Sequence, residues 1–148
     1  MIRNIIITLV ALIAGAALLQ FVASESGEVV VLSTLDAQGQ AQETRLWVVD
    51  HEGHQYLRSG APNATWFARL KGNNRVGVDR AGRRAAYDAY PDASLRDEIN
   101  DLMREKYGWA DQVIEMFFGR DDATPIRLEI FHEYADEELP PELRPIEE

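Results

Sequence analysis

The chain has 148 residues, a formal charge of −10 at pH 7 and no cysteine. This length corresponds to a single domain, and the lack of cysteine excludes disulfides, thiolate metal sites and a cysteine nucleophile. The acidic balance disfavours nucleic acid as a partner, because the phosphates of a nucleic acid would be repelled.

Residues 4–23 predict a transmembrane helix, because the segment contains no charged side chain. A helix of about 20 residues covers roughly 30 Å, which is the thickness of the hydrocarbon layer. Arg3 precedes the segment, and Glu25 and Glu28 follow it. The positive-inside rule then keeps the N-terminus in the cytoplasm. We therefore expect a single-pass protein of the cell inner membrane with an extracytoplasmic domain.

A cleaved signal peptide is the alternative interpretation of this segment. Arg3 suits its basic start, and the sequence Val22-Ala23-Ser24 offers a cleavage site. The apolar run, however, is longer than the roughly 7–15 residues of a signal peptide. Phe21 also weakens the cleavage site. The uncleaved anchor is therefore favoured.

Three short strands are predicted next, at residues 27–35, 41–49 and 55–58. The first two are rich in β-branched and aromatic residues, and the turn-rich segments 36–40 and 50–54 separate the three. Strands separated by a few turn residues that include glycine form hairpins. The pattern therefore predicts a β-meander.

Helices and a further hairpin are predicted in the second half of the chain. Residues 62–71 favour a short helix with Trp66, Phe67 and Leu70 on one face, and residues 75–79 and 83–90 favour paired strands. Ser94 and Asp97 resemble a helix cap before a helix that ends at residue 107. A further helix is predicted over residues 109–118. Its expected buried side chains are Val113, Met116 and Phe117.

A final strand is predicted over residues 124–132, with Ile126, Leu128 and Ile130 pointing inward. The elements together predict an α+β domain over residues 27–132, built as a small barrel of about six antiparallel strands with two to three helices. Residues 133–148 are acidic and proline-rich, which favours a disordered tail.

Basic residues are concentrated between positions 58 and 84. Seven basic residues and one acidic residue give this window a charge of +6 in a chain of −10. A solvated face is one explanation. The other is an anion site, because the turn at residues 59–62 leads into a helix and helix N-termini favour phosphate. The basic residues are Arg58, Arg69, Lys71, Arg75, Arg80, Arg83 and Arg84.

The order of these segments resembles a known family. The strands at residues 29–35 and 44–49, the turn at 50–54, and the segments 56–60 and 66–76 are similar to the split β-barrel flavin-binding superfamily of pyridoxamine phosphate oxidase. The nearest branch is that of the deazaflavin-dependent nitroreductase-like proteins. Trp66, Leu70, Asn74 and Val76 match its pattern, whereas Arg75 stands where proline is common.

The resemblance implies a phosphorylated cofactor, either FMN or a deazaflavin, bound by a homodimer. Its chemistry would be hydride transfer to a quinone, a nitro compound or a similar small acceptor. The residues that the resemblance assigns to cofactor binding are Arg45, Arg58, Ser59, Gly60, Trp66, Arg69 and Lys71. Trp66 is equally expected as a core residue.

Two alternatives to a flavin oxidoreductase remain. The chain could be a membrane-anchored, non-catalytic binding module that has kept the barrel and lost the cofactor, which an extracytoplasmic location favours. Haem binding is disfavoured because no histidine is well placed as an axial ligand. No acid–base residue stands out as catalytic. His51 and His54 have a metal-ligand spacing but lie in a predicted turn, so we assign no metal site.

Overall fold

The computed structural model describes residues 2–24 and 27–133. These residues form four α-helices, six β-strands and a 3-10 turn at Ala93–Leu95. The helices are α1 (Ile2–Ser24), α2 (Thr65–Gly72), α3 (Arg96–Tyr107) and α4 (Trp109–Phe118). The strands are β1 (Val29–Leu35), β2 (Ala41–His51), β3 (His54–Ser59), β4 (Arg75–Arg80), β5 (Arg83–Pro91) and β6 (Thr124–Glu133).

The six strands close into one barrel in the order β1-β2-β3-β6-β5-β4. Every neighbouring pair is antiparallel. Strand β6 is the last of the described strands in sequence but lies between β3 and β5, so it closes the barrel. The predicted α+β domain with a barrel of six antiparallel strands is confirmed.

Two of the hairpins have two-residue turns with positive φ at both central positions. Glu52 and Gly53 join β2 to β3 with φ of 48° and 79°, and Ala81 and Gly82 join β4 to β5 with φ of 53° and 80°. This combination belongs to the type I′ turn, whose twist matches that of the paired strands. The turns therefore fix the register of both hairpins.

The barrel is filled by one apolar cluster, to which α2 contributes from one end. Trp66, Phe67 and Leu70 of α2 point into this cluster, as their shared helical face predicts. Ile126 and Leu128 of β6 also lie inside, whereas Ile130 on the same face of the strand is exposed. The inward direction predicted for β6 is therefore confirmed only for its first half.

A second apolar cluster lies outside the barrel, between α3 and the outer face of β2 and β3. Ile99, Met103 and Tyr107 of α3 pack there against strand side chains that include Trp47 and Tyr56. Because alternate residues of β2 point to opposite faces, Val48 fills the barrel while Trp47 and Val49 cover its outside. This second cluster holds α3 on the barrel.

Tyr107 joins α3 to the barrel at the point where β1 begins. Val29 pairs with Trp47, so Val48 is the first residue of β2 beyond the reach of β1. The Tyr107 hydroxyl accepts a hydrogen bond from the Val48 amide at 3.0 Å and donates to the Glu28 carbonyl at 2.7 Å. Its ring stacks on Trp47 with centroids 4.3 Å apart. Burial raises the pKa of the Tyr107 hydroxyl to about 12.

Glu28 fastens the start of β1 by its side chain. Arg80 donates to its carboxylate at 2.6 Å, and Lys106 of α3 contacts the other carboxylate oxygen. The hydrogen bond from Arg80 is the main cause that lowers the pKa of Glu28 to about 2. Arg80 also donates to Asp50 of β2 at 2.7 Å, so one guanidinium links β4 with β2 and the start of β1.

Two predictions for the helices are wrong. The cap before α3 is not formed by Ser94 with Asp97, because Asp92 accepts a hydrogen bond from the Ser94 amide and a 3-10 turn precedes α3. In α4, Met116 is 81% exposed and Phe117 is 46% exposed. Both were predicted to be buried, and no described element covers them. Val113 is partly buried, as part of the outer cluster.

The N-terminal segment forms the helix α1, which packs against α4. None of the helices within residues 2–24 and 27–133 combines the length and the apolar character that crossing a bilayer requires. The transmembrane helix predicted for residues 4–23 is therefore not confirmed and stays a prediction. The predicted disordered tail begins at Glu133, and its residues 134–148 lie outside the described residues.

Replacing Gly27 by alanine should destabilise the fold more than the same change at Gly39. Both glycines have positive φ, 78° and 76°, so either substitution brings a strain of about 1–2 kcal/mol. A Cβ at Gly27 would lie 2.9 Å from two ring carbons of Tyr107, whereas a Cβ at Gly39 meets no atom within 4 Å. Crowding should add about 1–3 kcal/mol at Gly27 only. Thermal unfolding of both variants tests this, and equal losses would contradict the role given to Tyr107.

Candidate functional site

The end of the barrel closed by α2 collects most of the residues expected to bind a cofactor. Strand β3 ends at Ser59, and Gly60 begins the connection to α2. The Ser59 hydroxyl is buried and donates to the Ala61 carbonyl at 2.7 Å. Ser59 therefore shapes the turn, while Gly60 is exposed at its surface.

Helix α2 carries two cations, Arg69 and Lys71, in its last turn. Arg69 donates from Nε to the Thr34 hydroxyl of β1 at 2.8 Å, and the Lys71 ammonium lies 4.8 Å from the centre of the Phe67 ring. Both contacts leave donor hydrogens on the charged groups for a further acceptor. Trp66 is buried in the barrel cluster, so it acts as a core residue.

The N-terminus of α2 has no side-chain cap. Ala64 precedes the helix and offers no side-chain acceptor to the first amides. Amides of the first helical turn lack intrahelical partners and attract anions. The uncapped start of α2 with the turn at Gly60, and the cations Arg69 and Lys71 in the last turn of the same helix, are therefore the groups of the described chain best suited to a phosphate.

Most other cations of the basic window are neutralised by carboxylates. Side-chain pairs of 2.5–3.2 Å join Arg58 to Asp111, Arg75 to Asp88, Arg80 to Glu28 and Asp50, and Arg84 to Asp79. The charge of +6 counted along the sequence is thus largely cancelled in space by acids from other segments. The window as a whole is not one anion site.

Arg58 belongs to a buried ion cluster beneath α3 and α4. Its guanidinium lies 2.5 Å from Asp111, and Arg120 contacts the same carboxylate oxygen at 2.7 Å. The three side chains are 6%, 1% and 6% exposed, in the order Arg58, Asp111 and Arg120. Asn100 of α3 accepts from Arg58 at 3.2 Å. Two guanidinium groups thus share one carboxylate, which leaves an excess positive charge in a buried place.

The chemistry of this cluster is governed by burial. Burial, followed by repulsion from Arg120, lowers the pKa of Arg58. One Asp111 oxygen and the Arg120 Nε are buried with no hydrogen-bond partner among the described residues. The roles of Asp111, Arg120 and Asn100 were not predicted from the sequence. The available signal was an acidic residue on the face of α4 that carries the buried Ala110.

Arg45 lies apart from the residues at the α2 end of the barrel and from the buried ion cluster of Arg58. It lies on the outer face of β2, opposite Val31 of β1, and its side chain is exposed. The structure therefore brings Ser59, Gly60, Trp66, Arg69 and Lys71 to one end of the barrel. It places Arg45 and Arg58 on the outside.

A cleft of about 530 Å³ lies near the opposite end of the barrel, lined by residues of β3, β5 and β6. The side-chain Nε2 of Gln55 donates to the Tyr87 hydroxyl at 2.9 Å. The side-chain Oε1 of Gln55 is buried with no partner among the described residues. His51 and His54 pair across the β2–β3 turn nearby. The His51 Nε2 atom lies 3.4 Å from the Glu98 carboxylate, so the acidic neighbour of this histidine comes from α3.

Comparison with known proteins finds similarity at the level of structure. No family model matches the sequence, and no curated protein is significantly similar to it. An F420-H2 dependent reductase superposes with a TM-score of 0.52 at 19% identity, over 67% of this chain and 92% of the reductase. A proposed pyridoxamine 5'-phosphate oxidase of Listeria innocua superposes with a TM-score of 0.51 at 16% identity, over 76% and 90% of the two chains.

A proposed 5-nitroimidazole antibiotic resistance protein of Bacteroides thetaiotaomicron has the same fold. Its TM-score is 0.54 at 11% identity, over 72% of this chain and 75% of the other. The chain therefore shares the barrel fold of these three proteins. The resemblance predicted from the sequence is confirmed for the fold.

Replacing Asp111 by alanine should destabilise the protein strongly. The change leaves two buried guanidinium groups without their carboxylate, which costs about 3–5 kcal/mol for a buried pair. The matched control is Asp88→Ala, which removes the partner of the partly exposed Arg75 and should cost about 1 kcal/mol or less. Urea unfolding of the full chain in mild detergent measures both. A loss at Asp111 no larger than the loss at Asp88 would show that the cluster is not held by this carboxylate.

Proposed function

We propose that the protein binds a flavin-type cofactor, FMN or a deazaflavin, and reduces a quinone, a nitro compound or a similar small acceptor. The observation that supports this proposal is the split barrel, which the chain shares with an F420-H2 dependent reductase and a proposed pyridoxamine 5'-phosphate oxidase. When bound, such a cofactor supplies hydride transfer, and the protein supplies binding and orientation.

The α2 end of the barrel fits the phosphate of such a cofactor. The uncapped first turn of α2 offers backbone amides, and Gly60 lets an anion approach the preceding turn. Arg69 and Lys71 have donor hydrogens that are not used by Thr34 or by the Phe67 ring. Arg58 does not fit this role, because Asp111 and Asn100 already bind its guanidinium.

A homodimer is part of the proposal, as the sequence resemblance implies. A domain-swapped dimer is among the proteins with a similar barrel, at a TM-score of 0.55 and 18% identity. A flavin ring would then lie at the interface between two copies of the chain.

We also propose that α1 holds the protein at the cell inner membrane, with the domain on the extracytoplasmic side. The uncharged sequence of residues 4–23 and the order of Arg3, Glu25 and Glu28 support this orientation. A flavin must be exported to be used there. This location therefore favours the second candidate, a non-catalytic binding module, and so does the pairing of most window cations with carboxylates.

Flavin binding distinguishes the two candidates. The full chain, purified in mild detergent, should quench the fluorescence of added FMN or of a deazaflavin. Arg69→Met combined with Lys71→Met should weaken binding more than about tenfold, because each charge-assisted hydrogen bond contributes about 1.5–3 kcal/mol. Arg84→Met is the control, since its guanidinium faces Asp79 on the outside of the barrel.

Each outcome of this titration is informative. If neither cofactor binds, the oxidoreductase proposal fails and the binding module is supported. If a cofactor binds equally well to the wild type and to the double variant, the phosphate site proposed at α2 is wrong.

The proposed orientation predicts that the domain is accessible from outside the cytoplasmic membrane. Protease added to intact spheroplasts should degrade the domain while a cytoplasmic marker protein stays whole. Protection of the domain until the spheroplasts are lysed would contradict the proposed side of the membrane.

A further inference from the structure

The C-terminal turn of α4 exposes three consecutive large apolar side chains. Met116, Phe117 and Phe118, named here the apolar end of α4, are 81%, 46% and 55% exposed. Runs of three or more exposed apolar residues are unfavourable in water unless they serve a contact. Trp109, two turns earlier on the same face as Met116, is also exposed. This surface therefore requires a partner.

Helix α1 also exposes large apolar side chains, along its whole N-terminal part. Its large side chains at positions 5–18 are all exposed, and Ala16 is the one residue of that stretch that is partly buried. A helix that is apolar on every side is stable only where apolar material surrounds it. The side chains of residues 5–15 thus face surroundings that the described chain does not provide.

The two exposed surfaces belong to helices that pack directly against each other. Glu115, the charged residue just before Met116, does not interrupt this apolar surface. The Glu115 carboxylate lies 3.4 Å from Arg104 of α3, which draws it toward the domain. Because the helices are in contact, apolar surroundings of α1 extend to the helix that carries the apolar end.

We infer that the apolar end of α4 is inserted into the lipid bilayer that surrounds α1, so that the barrel lies against the membrane surface. This inference rests on the proposed location of α1 in a membrane. Lipid is favoured over a second copy of the chain because α1 is apolar on every side, whereas a protein partner would cover one face. Trp109 suits the arrangement, since tryptophan prefers the interface between lipid and water.

The lack of cysteine allows a direct test by spin labelling. Single variants Phe117→Cys, Leu12→Cys and Gln38→Cys of the full chain carry one nitroxide each, in phosphatidylcholine nanodiscs prepared with an excess of discs over protein. Leu12 reports on α1, and Gln38 is an exposed control in the β1–β2 turn. Collisions of each label with oxygen, which concentrates in lipid, are compared with collisions with a water-soluble nickel chelate. Met116→Cys repeats the measurement at a more exposed site, in case the label at position 117 perturbs folding.

The expected result is that oxygen dominates at positions 12 and 117 and that the nickel chelate dominates at position 38. If oxygen dominates at position 12 but nickel dominates at positions 116 and 117, α1 is in the bilayer and the docking of α4 is wrong. If nickel dominates at all sites, the membrane location of α1 itself is wrong. Shielding of position 117 from both reagents would indicate a protein contact and would also overturn the inference.

Discussion

The hydrogen bonds of the Tyr107 hydroxyl join α3 and the segment before β1 to the barrel. Strand β1 begins at Val29, which pairs with Trp47, so Val48 has no partner on β1 and the Tyr107 hydroxyl binds the Val48 amide instead. The same hydroxyl donates to the Glu28 carbonyl. The Tyr107 ring lies beside Gly27 and stacks on the Trp47 ring. Because α4 begins two residues later, this contact also determines where α4 starts relative to the point at which the chain enters the barrel.

Electrostatics in this protein is mainly a matter of pairing between distant segments. The basic window faces Glu28, just before β1, and acids from β2, β4, β5 and α4, so a charge of +6 along the chain becomes a series of separate ion pairs. Partly exposed pairs of this kind contribute little to stability. The cluster around Asp111 differs because water is excluded, and an unpaired charge there would be costly. The few cations that remain for a ligand are those on α2.

The barrel was predictable from the sequence because its signals are local. β-Branched runs, two-residue turns that contain Gly53 and Gly82, and the apolar face of α2 each depend on residues within a few positions of one another. The ion cluster was not predictable, because Arg58 and Asp111 are 53 positions apart and no local pattern links them. The burial of Met116 and Phe117 was predicted wrongly for a related reason. Helical spacing shows which residues share a face, but it does not show whether another element covers that face.

The position of β6 in the barrel has a consequence for folding. The hairpins β2–β3 and β4–β5 close over two-residue turns, so they can form quickly and independently of the rest of the chain. Strand β6 must pair with β3, about 70 positions earlier, and the entropy of closing so long a loop makes such pairing slow. Until β6 arrives, β3 and β5 each present an unpaired edge. Open edges of this kind template aggregation, so the interval before β6 docks is when the nascent domain most needs protection by a chaperone.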